Sequence, residues 1–138
     1  MTDEVFIPRL YVIMRDDLWD LNPGKGMAQS AHAGSDFEMT LADHTVSEVM
    51  SQAVANWRED RTFGTTLVLS APKSEFLGIR TRLNHAQEGT ISGTVLDPTY
   101  PYRNWYGQVF TAEEVTCMWV FAYTQEHADV LSEWDLHI

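Results

Sequence analysis

The sequence has 138 residues, 44% of them hydrophobic and 12% aromatic, which excludes a disordered chain and favours one globular domain spanning residues 1–138. Its 20 Asp and Glu residues outnumber its 9 Lys and Arg, and the net charge of −11 opposes contact with a phosphate backbone unless a local surface departs from it. One cysteine excludes an intrachain disulfide, no apolar run reaches the length of a membrane span, and the acidic first residues do not form a signal peptide. These features predict a cytoplasmic protein that has no membrane partner.

Apolar periodicity and turn residues divide the chain into four predicted strands and four predicted helices. Ser47 and Thr124 are predicted to cap the starts of the second and last helices, and Gly89 the end of the third. The predicted strands cover residues 9–15, 65–70, 91–96 and 115–123, and the predicted helices cover 25–42, 47–57, 73–87 and 125–134. This order predicts an α/β domain with a mixed sheet.

The start of the first predicted helix carries a polar stripe. Lys25, Gln29 and His32 follow one another at steps of four and three residues, which places them on one face of a helix. A neighbouring stripe holds small residues suited to close packing on a sheet: Ala28, Ala31 and Ser35. A lysine beside free backbone N–H groups at a helix start forms a generic anion site. A phosphate-binding loop is excluded, because that motif requires Ser or Thr after the lysine and this sequence has glycine.

Two aspartates lie at predicted strand ends, where ligands gather in open α/β sheets. Asp17 follows the first strand, and Asp97 ends the third. A carboxylate at either position would orient the lysine or position a water molecule. The alternative for Asp97 is a turn residue before Pro98.

Residues 97–112 form a predicted long loop that is rich in Tyr, Trp and Phe. Long loops in small domains are often functional. Three interpretations stay open, namely a stacking surface for bases, a contact in a homodimer, and a lid over the core.

Other reactive side chains do not form a recognisable site. Cys117 lies in an apolar run and is predicted to be a buried, inert thiol. The remaining histidines lack the spacing of paired metal ligands: His44, His85, His127 and His137.

Two motifs around the first helix carry a resemblance to a known family. The first strand is followed by an Arg-x-Asp-Leu turn, Arg15-x-Asp17-Leu18. The helix then starts with a second motif, Gly24-Lys25-x-x-Ala28-Gln29-x-x-His32-Ala33. Both motifs resemble the second family of peptidyl-tRNA hydrolases, the archaeal and eukaryotic type. The downstream layout is also similar, with Trp57 before the second strand, Ala71-Pro72 at its end and Asp97 after the third.

The resemblance implies a single three-layer α/β/α domain with a four-stranded mixed sheet. It implies hydrolysis of the ester between a peptide and tRNA, without metal or other cofactor, by the catalytic residues Lys25, His32 and Asp97. It also implies substrate-binding residues: Gln29, Asp17, Gly24 and Thr99. The chemistry suits these residue types, because ester cleavage needs a positioned water, a base and donors to the developing oxyanion. Either Asp97 or a neutral His32 would be the base.

The chain departs from the family pattern in its acidity and in the longer aromatic stretch after Asp97. Three functions therefore stay open. The first is a peptidyl-tRNA hydrolase, the second is a non-catalytic binding or assembly module that keeps the fold without tRNA activity, and the third is hydrolysis of another small ester or amide. The hydrolase predicts one basic patch near His32, and the module predicts scattered charges, among the following residues: Arg15, Lys25, Lys73, Arg80, Arg82 and Arg103.

Overall fold

The first strand, Arg9–Arg15, lies inside the sheet between two neighbouring strands, as its continuous apolar run predicts. The structure is a computed structural model, and it describes residues 6–18, 21–43, 46–60, 64–86 and 91–134. The strands are β1 (Arg9–Arg15), β2 (Thr66–Ala71), β3 (Ile91–Arg103) and β4 (Val109–Ala122). The helices are α1 (Pro23–Asp43), α2 (Glu48–Glu59), α3 (Phe76–Ala86) and α4 (Gln125–Leu131), and a short 3₁₀ turn (Lys73–Glu75) precedes α3.

The four strands pair in the order β2-β1-β4-β3. β1 runs parallel to β2 and antiparallel to β4, while β3 and β4 form an antiparallel hairpin. The predicted four-stranded mixed sheet is therefore confirmed. Every residue of β1 after Arg9 is buried, because helices cover both faces of this central strand.

Two separate apolar clusters form the core, one on each face of the sheet, and they confirm the three-layer arrangement. On the first face, α1 and α2 pack against β1 and β4 through an aromatic cluster. The ring of Phe37 lies 5.6 Å from that of Trp57 and 5.2 Å from those of Trp119 and Phe121. The second face is covered by α3 and α4, whose buried side chains are Phe76, Ile79, Leu83 and Leu131. Among the described residues, no helix is long and apolar enough to cross a membrane.

Two of the predicted helix caps are confirmed. The hydroxyl of Ser47 accepts a hydrogen bond from Met50 N at the start of α2, and Thr124 accepts one from His127 N at the start of α4. The predicted cap Gly89 lies outside the described residues. α4 ends at Leu131, three residues before the predicted end.

The packing face of α1 differs from the predicted one. Ala28, Ala31 and Ser35 are exposed, so the predicted stripe of small residues does not pack on the sheet. The buried positions of α1 are instead Gly26, Gln29, Ala33 and Phe37. The large ring of Phe37 decides the orientation of the helix, because its burial removes far more apolar surface from water than three small side chains.

The predicted loop over residues 97–112 is wrong. β3 continues past Asp97 to Arg103 and β4 already begins at Val109, so these residues form the outer part of a long hairpin, which we call the arm (residues 98–112). A tight turn closes the arm. In this turn the side-chain oxygen of Asn104 accepts hydrogen bonds from Tyr106 N and Gln108 N, and Gly107 adopts a φ of 79° that favours glycine.

Two β-bulges separate the arm from the inner part of the hairpin. Val95 pairs with Cys117 and Leu96 with Val115, so Thr116 is an extra residue on β4. Asp97 pairs with Glu114 and Tyr100 with Ala112, so β3 then carries an extra residue opposite Glu113. A proline inside a strand is tolerated at such irregular positions, which explains how Pro98 fits within β3. Asp97 therefore lies between two bulges and does not end the strand.

Candidate active site

The start of α1 is fixed by Asn22, whose side-chain oxygen accepts a hydrogen bond from Lys25 N at 2.9 Å. Pro23 occupies the first helical position, where its fixed φ suits a helix and its missing N–H costs nothing. The helix therefore begins two residues before the predicted Lys25. This start places Gly24 and Lys25 in the first turn, with Gly24 exposed.

Gln29 joins the helix motif to the strand aspartate. Its side-chain amide donates a hydrogen bond to Asp97 Oδ2 at 2.8 Å, and its side-chain oxygen accepts one from the Thr116 hydroxyl at 2.7 Å. The residue is only 3% exposed. Because both ends of the amide are engaged, the orientation of Gln29 is determined by its partners.

Asp97 is held as a carboxylate. Its Oδ1 accepts a hydrogen bond from Thr99 N at 2.9 Å, and its Oδ2 accepts the bond from Gln29. Burial raises the pKa of Asp97, but these hydrogen bonds and the nearby charge of His32 outweigh burial and hold the pKa below its ordinary value. Asp97 is therefore ionised at neutral pH and is a weak proton acceptor.

Lys25 lies over the first residues of the arm. Its ammonium donates a hydrogen bond to the carbonyl of Pro101 at 2.7 Å and lies 5.3 Å from the centre of the Tyr100 ring. The face of an aromatic ring attracts a cation at this distance. Both contacts hold the positive charge of Lys25 where the arm leaves the sheet.

His32 is exposed and borders an open cleft of about 460 Å³ between α1 and β3. The cleft is also lined by Asp97 and Thr99 on the strand, and by Ser35 and Asp36 on the helix. The structure thus brings His32, Asp97 and Thr99 to one cleft, and Gln29 contacts it through Asp97. A small ester would meet an imidazole, a carboxylate and a hydroxyl there.

Asp17 belongs to a second polar cluster at the base of the arm. Arg15 donates hydrogen bonds to Asp17 Oδ1 at 2.9 Å and to Glu114 Oε1 at 2.6 Å, and the Tyr102 hydroxyl donates to Glu114 Oε2 at 2.7 Å. The Arg15 hydrogen bond holds the pKa of Asp17 below its usual value, against the opposing effect of burial. We call these four residues the arm latch: Arg15, Asp17, Tyr102 and Glu114. Asp17 therefore accepts hydrogen bonds from Arg15 and Lys73 N, and it is not among the residues that line the cleft.

Sequence patterns do not identify Thr116 as a partner of Gln29. A strand residue normally alternates between faces, and Thr116 meets α1 only because the bulge adds one residue to β4. The bulge has no signature in the residues around it. The polar stripe of α1, by contrast, is visible in the spacing of Lys25 and Gln29.

The thiol of Cys117 is buried, as predicted, and burial raises its pKa to about 12. It is therefore a poor nucleophile. Within the part of the chain that the structure describes, no group of three His, Cys, Asp or Glu side chains is arranged to hold a metal ion.

Comparison of the chain with protein-family models gave no match, and a search of curated proteins gave none either. The function is therefore inferred from the geometry of the cleft.

Proposed function

We propose that this protein hydrolyses the ester bond between a peptide and the 3′ end of tRNA and so releases the peptide from peptidyl-tRNA. The observation that carries the proposal is the hydrogen bond between Gln29 and Asp97 beside a cleft lined by His32. This bond joins the helix-start motif to the strand aspartate, two features far apart in sequence that the resemblance assigns to one site.

The roles of the residues follow from their surroundings. Asp97 is ionised and immobile, so it accepts a hydrogen bond from the attacking water and orients it. His32 is exposed to the cleft and in its neutral form takes the water proton, because imidazole is the side chain most often used as a general base. The lowered pKa of Asp97 argues against that carboxylate as the base.

The proposed reaction adds one water molecule across the ester bond. The water oxygen attacks the ester carbonyl carbon as its proton passes to His32, and the carbonyl electron pair moves to oxygen. The oxyanion is stabilised by the ammonium of Lys25, which is not among the residues that line the cleft and exchanges its hydrogen bond to the Pro101 carbonyl for one to the oxyanion. The ester bond to the ribose oxygen then breaks, that oxygen takes the proton from His32, and a free peptide and tRNA are left.

The direct test is hydrolysis of peptidyl-tRNA by the wild type and by Lys25→Ala. Removal of one oxyanion donor typically lowers the rate by about a hundredfold or more. The matched control is Lys73→Ala, since Lys73 is the other lysine of the chain and its exposed side chain lies in the 3₁₀ turn. Equal rates for the wild type and Lys25→Ala would contradict the role of Lys25, and no hydrolysis by the wild type would contradict the function.

A second function, a binding or assembly module, is favoured by the distribution of positive charge. Arg15 is 8% exposed and paired with two carboxylates. Arg80 and Arg82 belong to α3, on the opposite face of the sheet from His32, and Arg82 is paired with Glu133. These residues do not form a basic patch around the cleft. This function predicts that tRNA does not bind even at low salt, so salt-sensitive binding of tRNA would contradict it.

A further inference from the structure

The chain is acidic, but its carboxylates are not evenly spread. Residues 21–35 and 98–112 are its two longest stretches without Asp or Glu, at 15 residues each. The first stretch is the start of α1, and the second is the arm. Both are fully described by the structure.

These two stretches meet in space. The ammonium of Lys25, in the first stretch, donates a hydrogen bond to the carbonyl of Pro101, in the second. Together they form what we call the α1–arm surface, residues 21–35 and 98–112. Its charged residues are Lys25 and Arg103. Two adjoining carboxylates are engaged in hydrogen bonds, since Asp97 accepts from Gln29 and Thr99 N, and Glu114 accepts from Arg15.

The arm also exposes large aromatic side chains. Trp105 and Tyr106 at its turn are each 90% exposed, and Phe110 is 50% exposed. Below them, the ring of Tyr102 stacks on Phe110 with centroids 5.6 Å apart, and it also contacts Tyr100 at 5.0 Å. A ladder of rings therefore leads from Lys25, which lies over Tyr100, through Tyr102 to Phe110.

We infer that the α1–arm surface binds single-stranded RNA, with bases stacked on Trp105 and Tyr106 and the phosphates directed toward Arg103 and Lys25. The inference rests on the proposed function, because the unpaired 3′ end of a tRNA is the single-stranded segment that must reach the cleft. Exposed aromatic rings beside positive charge are the features that bind single strands without sequence preference.

Two other occupants fit the observations less well. Pairing of β3 with a second copy of the chain is opposed by Pro98 and Pro101, which offer no N–H donor along that outer strand. An anionic bilayer would meet the same net charge of −11 as RNA but would offer no bases to stack on Trp105 and Tyr106. RNA is favoured because it offers bases to the exposed rings and phosphates to Lys25 and Arg103.

The test uses a fluorescent single-stranded RNA of about 12 nucleotides, a length that spans a typical single-strand site, and a blunt RNA duplex of the same length. Neither probe carries an ester. Binding to the full chain is measured at low and moderate salt for the wild type, Arg103→Glu and the double variant Trp105→Ala/Tyr106→Ala. Arg80→Glu is the matched control, because it makes the same charge change on the opposite face of the sheet. Circular dichroism verifies that each variant is folded.

The wild type is expected to bind the single strand more tightly than the duplex, in a salt-sensitive manner. Loss of both tip rings is expected to weaken binding by at least about tenfold, since each stacked base contributes measurably. Arg103→Glu weakens binding, Arg80→Glu leaves it unchanged, and Trp105→Phe retains most of it because the ring is kept. Equal weakening by Arg103→Glu and Arg80→Glu, or no binding by the wild type at low salt, would overturn the inference.

Alternative roles of the arm give different outcomes. If the double variant converts a dimer to a monomer in sedimentation while RNA affinity stays unchanged, the arm is a self-association surface and the inference is overturned. Loss of binding to phosphatidylcholine vesicles with unchanged RNA affinity would overturn it in favour of a lipid surface.

The outcome for RNA binding is separable from the outcome for hydrolysis. Arm-dependent RNA binding by a protein that does not cleave peptidyl-tRNA would contradict the proposed function and support RNA binding by the α1–arm surface. Conversely, cleavage with an unchanged KM in the double variant would support the proposed function and overturn RNA binding by this surface.

Discussion

The β3–β4 hairpin consists of an inner part and the arm, and the two differ in how deeply their side chains are buried. In the inner part, Trp119 is fully buried and Gly93 pairs with it across the hairpin. A Cβ atom at position 93 would lie 2.7 Å from the indole nitrogen, so the absence of a side chain makes room for the ring. In the arm, Trp105 is 90% exposed. One hairpin therefore carries a tryptophan that holds the core together and another whose burial contributes little.

The arm keeps its position through polar contacts at its base. The latch residues Tyr102 and Glu114 connect it to Arg15 at the end of β1, and Pro101 connects it to Lys25. Apolar burial determines the inner part, whereas a few charged hydrogen bonds, the turn at Asn104 and a single fully buried ring, that of Tyr100, determine the arm. The two parts should consequently respond differently to substitution and to pH.

The largest contrast is expected between the two tryptophans. Trp119→Ala removes a buried ring and its hydrogen bond to Asp36, so it should lower the free energy of unfolding by about 3–5 kcal/mol. Trp105→Ala should change it by less than about 0.5 kcal/mol, because an exposed side chain loses few contacts. Denaturant unfolding of both variants measures the difference. Similar losses in the two would mean that the arm is packed as firmly as the core.

Substitution of the latch should have an intermediate effect. Glu114→Gln removes the charge opposite Arg15, whose side chain is only 10% exposed, and should cost about 2 kcal/mol since hydrogen bonds between charged groups are lost. The matched control is Glu133→Gln, at the surface pair with Arg82, where solvent weakens the interaction and the unfolding midpoint should hardly move. An equal shift in the two variants would contradict a special role for the latch.

The latch also predicts how the Glu114→Gln effect depends on pH. The Tyr102 hydrogen bond lowers the pKa of Glu114, burial opposes this, and Arg15 adds to the lowering, so the folded pKa lies below the ordinary 4.5. A lowered carboxyl pKa gives stability that is complete above 4.5 and is lost as the pH falls through the folded value. The stability difference between the wild type and Glu114→Gln should therefore shrink on acidification below 4.5. Thermal unfolding between neutral and acidic pH measures this stability difference. A difference that stays constant with pH would show that the Glu114 carboxylate is not its source.

The contrast between the two parts explains how much of the fold can be predicted from sequence. β1 is correctly bounded at residues 9–15, and the caps Ser47 and Thr124 are correct, because burial and capping leave local patterns. The arm is predicted as a loop because its two prolines and its turn residues break the alternation of a strand. Its strand structure depends on pairing between β3 and β4, which local patterns do not reveal.

In the candidate site, too, features with a local sequence pattern can be predicted, and features that depend on strand pairing cannot. The stripe Lys25, Gln29 and His32 is visible from helical spacing, since the three residues share one helix. The position of Asp97 between two bulges and the contact of Thr116 with Gln29 are not visible, because bulges arise from the pairing of distant residues. The direction in which Lys25 extends, toward Pro101, likewise depends on the arm.

The smallest effect is expected at the bulge that separates the two parts of the hairpin. Thr116→Val keeps the side-chain volume but removes the hydroxyl that donates to Gln29, so a buried amide oxygen loses this donor at a cost of about 1 kcal/mol. Thr116→Ser keeps the donor and should retain the stability that Thr116→Val loses, while Thr111→Val, at an exposed position of the arm, should be neutral. Denaturant unfolding separates the three variants. Peptidyl-tRNA cleavage should fall in Thr116→Val alone, because Gln29 would then be free to turn away from Asp97. Equal losses in Thr116→Val and Thr116→Ser would instead assign the role of Thr116 to the packing of its methyl group.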